Sequence, residues 1–160
     1  MRIAGIVRDS IVDGIGIRDV VFLQGCNHHC KGCHNHQTWN YDGGEEWFYV
    51  DVVNELSDSD NDITISGGEP LDQWLDLKML LRLINKTTNK RVWLYTGYTM
   101  DITHAWFNYL ATVVDVVVDG EFIEELKDPD LLFRGSSNQR IIDMKKSVKE
   151  NRIVEWEDEG

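Results

Sequence analysis

Short, nearly unbroken apolar runs separated by amphipathic stretches constrain this chain more than any other feature. Ile3 to Val7, Asp19 to Leu23, Ile63 to Ser66, Arg91 to Thr96 and Val113 to Val118 are rich in β-branched and aromatic residues and read as strands. Between them, Phe48 to Leu56, Leu71 to Asn85 and Asp101 to Thr112 carry apolar residues at helical spacing, and Pro70 suits the first turn of the second helix. Strands apolar at successive positions have both faces buried, so the pattern predicts an α/β fold with a parallel sheet covered on both sides. At 160 residues the chain is one domain, 1–160, too short for a closed eight-unit barrel, and the expectation is an incomplete, open parallel β/α barrel. Arg140 to Trp156 reads as two short strands around a turn or brief helix, with residues 146–160 an acidic, partly ordered tail.

In such sheets the loops leaving the C-terminal strand ends build the active site. Four of them are rich in chemistry. Val20 to Leu23 runs into Cys26, Ile63 to Ser66 into Gly67-Gly68-Glu69-Pro70, Val92 to Tyr95 into Thr96-Gly97, and Val116 to Val118 into Asp119-Gly120-Glu121.

All three cysteines fall within eight residues, Cys26, Cys30 and Cys33, among His28, His29, His34 and His36. The positions also match a helical stripe, but Gly25, Asn27, Gly32 and Asn35 make a poor helix. Three clustered cysteines are no disulfide framework, and they fit a metal site in a reducing compartment. Zinc would accept three Cys and one of the nearby His, although structural zinc usually ties together separated segments. A 4Fe–4S cluster normally takes four thiolates, so three leave one iron with an open position. The spacing favours the cluster, with zinc as the competitor.

Charge narrows the classes further. With 16 Lys and Arg against 28 Asp and Glu, the net charge of -12 repels phosphate backbones and argues against nucleic acid as a partner. No apolar run approaches a membrane span, and Arg2, Arg8 and Asp9 interrupt any signal-peptide pattern, so the expected location is cytoplasmic with no membrane association. The basic group Lys145, Lys146, Lys149 and Arg152 reads as a solvated face.

Cys26-x3-Cys30-x2-Cys33 followed by Gly67-Gly68-Glu69-Pro70 resembles the radical S-adenosylmethionine enzymes. Asp13-Gly14-Ile15-Gly16-Ile17-Arg18, Phe22 to His28, Lys31 to Asn35, Asp119 to Phe122 and Phe133 to Arg140 resemble the subfamily that activates anaerobic ribonucleotide reductase. The resemblance spans roughly residues 5 to 145. It implies an open barrel of the radical S-adenosylmethionine type and a 4Fe–4S cluster on Cys26, Cys30 and Cys33, whose free iron is chelated by the amine and carboxylate of S-adenosyl-L-methionine. Reductive cleavage then gives a 5′-deoxyadenosyl radical that takes hydrogen from a glycine of the reductase's large subunit. An electron donor such as flavodoxin is implied, and so is a homodimer or a heterotetramer with the reductase. Where the subfamily often has proline, this chain has Ile15 and His36, neither a ligand position. Gly32 replaces the aromatic residue that often precedes the third cysteine, leaving His34 as a candidate to stack on adenine.

On this resemblance Gly32, Cys33, His34, Gly67, Gly68, Glu69, Thr96 and Asp119 contact the cofactor, and no catalytic residue is needed beyond these ligands. Glu69 would accept from the methionyl amine, against the plainer role of favouring a helix N-terminus. His28, His29 and His36 read as polar loop residues. Asp13 and Arg18 either brace the cluster loop or form a surface ion pair. The donor-rich stretch Arg134 to Arg140 would meet cofactor or partner, yet it begins at the wrong edge if the next strand is parallel. An activase of another glycyl radical enzyme (the pyruvate formate-lyase type), a small-molecule radical enzyme such as the deazapurine ring contraction, and a non-catalytic zinc-binding module are the alternatives.

Overall fold

The computed structural model describes residues 1–158, and among them the chain forms seven strands and four α-helices. Strands β1 (Arg2–Ser10) and β2 (Arg18–Leu23) precede the cysteine loop, the two-residue strand β3 (Glu45–Glu46) and helix α1 (Tyr49–Ser57). Then β4 (Asp62–Gly67), α2 (Trp74–Thr87), β5 (Val92–Tyr95), α3 (Ala105–Val113) and β6 (Val116–Asp119) alternate. β7 (Arg140–Asp143) leads into α4 (Met144–Glu150). No helix among the described residues is long and apolar enough to cross a membrane.

The sheet order is β3-β1-β2-β4-β5-β6-β7. β2, β4, β5 and β6 are parallel, with Val20 beside Thr64, Thr64 beside Trp93 and Trp93 beside Val116. The outer strands correct the all-parallel expectation. β1 pairs antiparallel with β2 and β3, and β7 antiparallel with β6. Residues 11–17 are too few for the crossover that parallel neighbours require, so β1 and β2 close as a hairpin. The 120–139 connection holds only a single 3-10 turn, Glu124–Leu126, and returns to the edge it left.

The faces differ in how they are covered. Val21, Leu23, Ile63, Ile65, Leu94 and Val117 point to the face packed by α1, α2 and α3. The alternate residues Trp93, Val116 and Val118 point the other way and are covered by Phe133, Ile141 and Trp156 rather than by a helix. The expected tail therefore folds back: Glu155 bridges to Ile142, and Trp156 sits 5.3 Å edge-on from Trp93. Glu159 and Gly160 lie outside the described residues.

Arg18 and Asp13 do not brace the cysteine loop. Arg18 is 1 % exposed at the N-terminal ends of the parallel strands, the end opposite that loop. Its guanidinium donates to Thr64 Oγ1 at 2.9 Å and to the carbonyls of Ile63, Arg91 and Ile15 at 2.8–3.0 Å. Asp13 accepts from Ser10 Oγ instead. The third predicted helix starts late, because the Asp101 carboxylate accepts from the Thr103 amide and hydroxyl and ties a turn there.

Candidate metal centre

The loop after β2 is fastened at its base before any cysteine appears. Gly25 N donates to Thr38 O at 2.6 Å, Cys26 N to Trp39 O at 3.2 Å, and the Gln24 amide reaches Gln37 O and Asn40 O. Gly25 has φ +105°, and a Cβ there would lie 2.3 Å from the Tyr41 ring, so glycine is required. Cys33 N donates to Cys30 O, turning the chain between the last two thiols. Cys26 is buried; Cys30 and Cys33 are half-buried. Burial pushes the Cys26 and Cys30 thiols up, opposed by the amides of His28 and His29 at Cys26 and of Phe122 at Cys30.

The turn after β4 lies directly on this base. Gly68 N donates to Leu23 O at 2.8 Å and Glu69 N to Gly25 O at 2.7 Å. A Cβ on Gly67 would stand 2.3 Å from Leu23 N, and one on Gly68 2.3 Å from Gly25 O. The glycine pair thus serves a close approach of main chain to main chain, while both residues also line a 190 Å³ cavity with Cys26, Cys30, Cys33 and His34.

Glu69 is fully buried. Oε2 accepts from Leu71 N at 3.0 Å and Thr96 Oγ1 at 2.8 Å. Oε1 accepts from Gly97 N at 2.7 Å and pairs with His28 Nε2 at 2.6 Å. The capping role expected for it is real, since Leu71 N opens the 3-10 turn Pro70–Gln73, but the carboxylate also joins the loops after β2, β4 and β5.

His28 is not the simple polar loop residue expected. Its Nδ1 lies 2.9 Å from Glu121 Oε1, so the ring bridges two carboxylates, with Tyr98 edge-on at 4.6 Å. A Cβ on Gly97 would come within 2.6 Å of the ring. The hydrogen bond to Glu69 foremost, with burial opposing and Glu121 adding, pushes His28 up to about 9, making it an imidazolium at neutral pH.

The other expected residues are placed unevenly. Thr96 lines the cavity. Asp119, 1 % exposed, is held by Arg140 at 2.6 and 3.1 Å and by Met100 N at 2.7 Å, and borders a neighbouring trough rather than the cysteine cavity. Gly32 is exposed beside Glu124. His34 is exposed at the cavity, 6.1 Å from the Phe122 ring, and His29 stacks on Trp39 at 4.5 Å.

The antiparallel β7 resolves the topological difficulty of the Arg134–Arg140 stretch, which arrives at the site's own edge. Its donors are largely used to shape itself: Gln139 accepts from Gly135 N and Ser136 N and donates to Gly120 O, and Arg134 donates to Gln139 O. Gly135 and Gln139 reach the cavity wall. Sequence reasoning missed Glu121, Phe122 and Tyr98 as site residues, although the first two stand in a stretch that already drew attention.

Three free thiols from one loop line one cavity, and no second stretch of chain brings a fourth cysteine to them. That donor set fits a polynuclear cluster better than a lone zinc. A sequence-family model described as "4Fe-4S single cluster domain" matches residues 12–142, which defines the class as an iron–sulfur α/β domain. Three anaerobic ribonucleoside-triphosphate reductase-activating proteins are similar along most of their length. That of Escherichia coli K12 is 37% identical over 139 residues, covering 81% of this chain and 90% of the relative. Those of Haemophilus influenzae and Enterobacteria phage T4 are each 34% identical, covering 82% of this chain and 91% and 87% of theirs. This chain belongs to the family of anaerobic ribonucleoside-triphosphate reductase-activating proteins.

Proposed function

We propose that this chain activates an anaerobic ribonucleoside-triphosphate reductase by generating a radical on a glycine of its large subunit. The observation that carries the reading is the meeting of Cys26, Cys30 and Cys33 with the Gly67-Gly68-Glu69 turn around one cavity. The three thiolates would hold a 4Fe–4S cluster, leaving one iron for S-adenosyl-L-methionine. When bound, cluster and cofactor together supply one-electron cleavage and a carbon radical for hydrogen abstraction.

The protein's part is position and charge. Gly67, Gly68, Thr96 and His34 line the same cavity as the three thiols and would meet the cofactor there, with Gly32 next to Cys33 on the exposed part of the loop. Glu69 lies buried beside that cavity, its two oxygens held by four partners. Asp119 acts at one remove, by fixing Arg140 and the Met100 amide at the rim. Tyr95 and Phe122 line the cavity with rings that limit water near the reacting atoms. We read the sheet as an open barrel of the radical S-adenosylmethionine type, entered by the partner's glycine segment. Free thiols suit a reducing compartment such as the cytoplasm, and an electron donor such as flavodoxin suits a cluster that must be reduced.

The test is anaerobic reconstitution with iron and sulfide, then incubation with S-adenosyl-L-methionine, a reductant and the reductase large subunit. A glycyl radical doublet in electron paramagnetic resonance is expected; stoichiometric zinc without sulfide, or no radical, overturns the reading.

A further inference from the structure

His28 is held on four sides, and the chemistry above gives it no task. Its side chain is 9 % exposed. Nε2 lies 2.6 Å from Glu69 Oε1, and Nδ1 lies 2.9 Å from Glu121 Oε1. Tyr98 packs edge-on against the ring at 4.6 Å. Gly97 closes the fourth side, where a Cβ would come within 2.6 Å of the ring. Two hydrogen bonds and two packed neighbours leave the imidazole a single position.

That position joins the thiols to the opposite side of their cavity. His28 stands two residues from both Cys26 and Cys30, so the ligand loop sets where its ring begins. Among the described residues it makes the one hydrogen bond from the segment Cys26 to Cys33 to the Gly67-Gly68-Glu69 turn. The main-chain bonds between the two loops, Gly68 N to Leu23 O and Glu69 N to Gly25 O, lie before the first cysteine. Glu69 in turn holds the next loop. Oε1, the oxygen that His28 meets, also accepts from Gly97 N at 2.7 Å, and Oε2 accepts from Thr96 Oγ1 at 2.8 Å. Thr96 and Gly97 both line the cavity with Gly68 and the three thiols.

We propose that His28 is a positioning residue, a strut that acts through Glu69 to set how far the Gly68, Thr96 and Gly97 wall stands from the three thiols. What that wall would hold, S-adenosyl-L-methionine, rests on the function proposed above. Groups behind a site govern affinity by fixing the groups in front of them. Glu121 braces the ring from its far side, and the glycine at position 97 admits the ring to its place.

Two substitutions separate the ends of the strut. In His28→Gln the side-chain amide can reach the place of Nε2, which meets Glu69; in His28→Asn it can reach that of Nδ1, which meets Glu121. Hydrogen exchange by mass spectrometry on the cluster-free protein should show the peptide carrying Gly97 exchanging about tenfold faster in His28→Asn, and within about threefold of wild type in His28→Gln. After reconstitution with iron and sulfide, both variants should match wild type in metal content. His28→Asn should raise about tenfold the S-adenosyl-L-methionine concentration that half-shifts the electron paramagnetic resonance signal of the reduced cluster, as loss of one hydrogen bond to a charged group does. His28→Gln should stay within about threefold. Equal weakening in both variants overturns the proposal, because the ring would then touch the cofactor itself or only fill space. Unchanged exchange or unchanged affinity in His28→Asn overturns it too, as does loss of iron, which would tie His28 to the cluster and not to the wall. If circular dichroism shows His28→Asn unfolded, Gly97→Ala, whose Cβ would press on the ring beside Glu69, carries the same expectation. A wild-type signal that ignores S-adenosyl-L-methionine sinks the underlying function instead, whereas the exchange result needs no cofactor at all.

Discussion

A carboxylate offers about four acceptor directions, and Glu69 uses all of them within the protein. Glu69→Ala is therefore a poor probe of cofactor contact, since it strands several buried donors at about 1–3 kcal/mol each. Urea unfolding of the cluster-free protein should show that variant losing more than about 3 kcal/mol, and Glu69→Gln, which keeps an acceptor but not the charge facing His28, losing about 1–3 kcal/mol. Losses near zero for both would mean the network contributes nothing to the fold. Cys30→Ala should keep its far-ultraviolet circular dichroism yet fail to retain iron and sulfide on reconstitution; full iron content would remove Cys30 from the ligand set. That the cysteine loop and the Gly67-Gly68-Glu69 turn would meet was legible, because both follow parallel strands and because the cysteines are close in sequence and a glycine pair precedes Glu69. His28 was not, since its meaning depends on Glu121, 93 residues away, and on the missing side chain of Gly97.

At the scale of elements, one buried acid ties three of them. Asp19 at the start of β2 accepts from Arg8 and the Asp9 amide of β1 and from Asn61 before β4. Burial alone would push its carboxyl up, but hydrogen bonds from Asn61, Ser59 and the Asp9 amide, with Arg8 nearby, hold it below the usual carboxylate range. A lowered folded-state value means the contribution to stability is present above the unfolded value near 3.8 and is lost as pH falls through the folded one. Asp19→Asn should accordingly unfold less steeply with acid between about pH 5 and 2 in a fluorescence titration; an identical slope would exclude this linkage. The central strands were legible because their apolar runs are unbroken. The direction of β7 was not, because the preceding connection carries no helix to signal which way it returns. The two residues of β3 are too few to show any period.

For the whole molecule, the unequal covering of the two sheet faces matters most. Helices shield one side, whereas the other relies on a chain end whose Trp156 N donates to Ile141 O and whose ring packs on Trp93 and Phe133. Trp156→Ala should cost about 2 kcal/mol, lower Tm and red-shift the emission of Trp93 as water reaches it; an unmoved spectrum would mean the lining is sealed by other residues. This closure was legible only in part, since an acidic terminal stretch gives no hint of which apolar surface its single tryptophan will meet. The seam between the cysteine loop and the Gly67-Gly68 turn has its own corollary. It is sewn by Gly68 N to Leu23 O and Glu69 N to Gly25 O, bonds that involve no sulfur atom. Because that seam is main chain to main chain, replacing any one thiol leaves both of its bonds in place, so a cysteine variant should report on metal uptake and not on how the two loops meet.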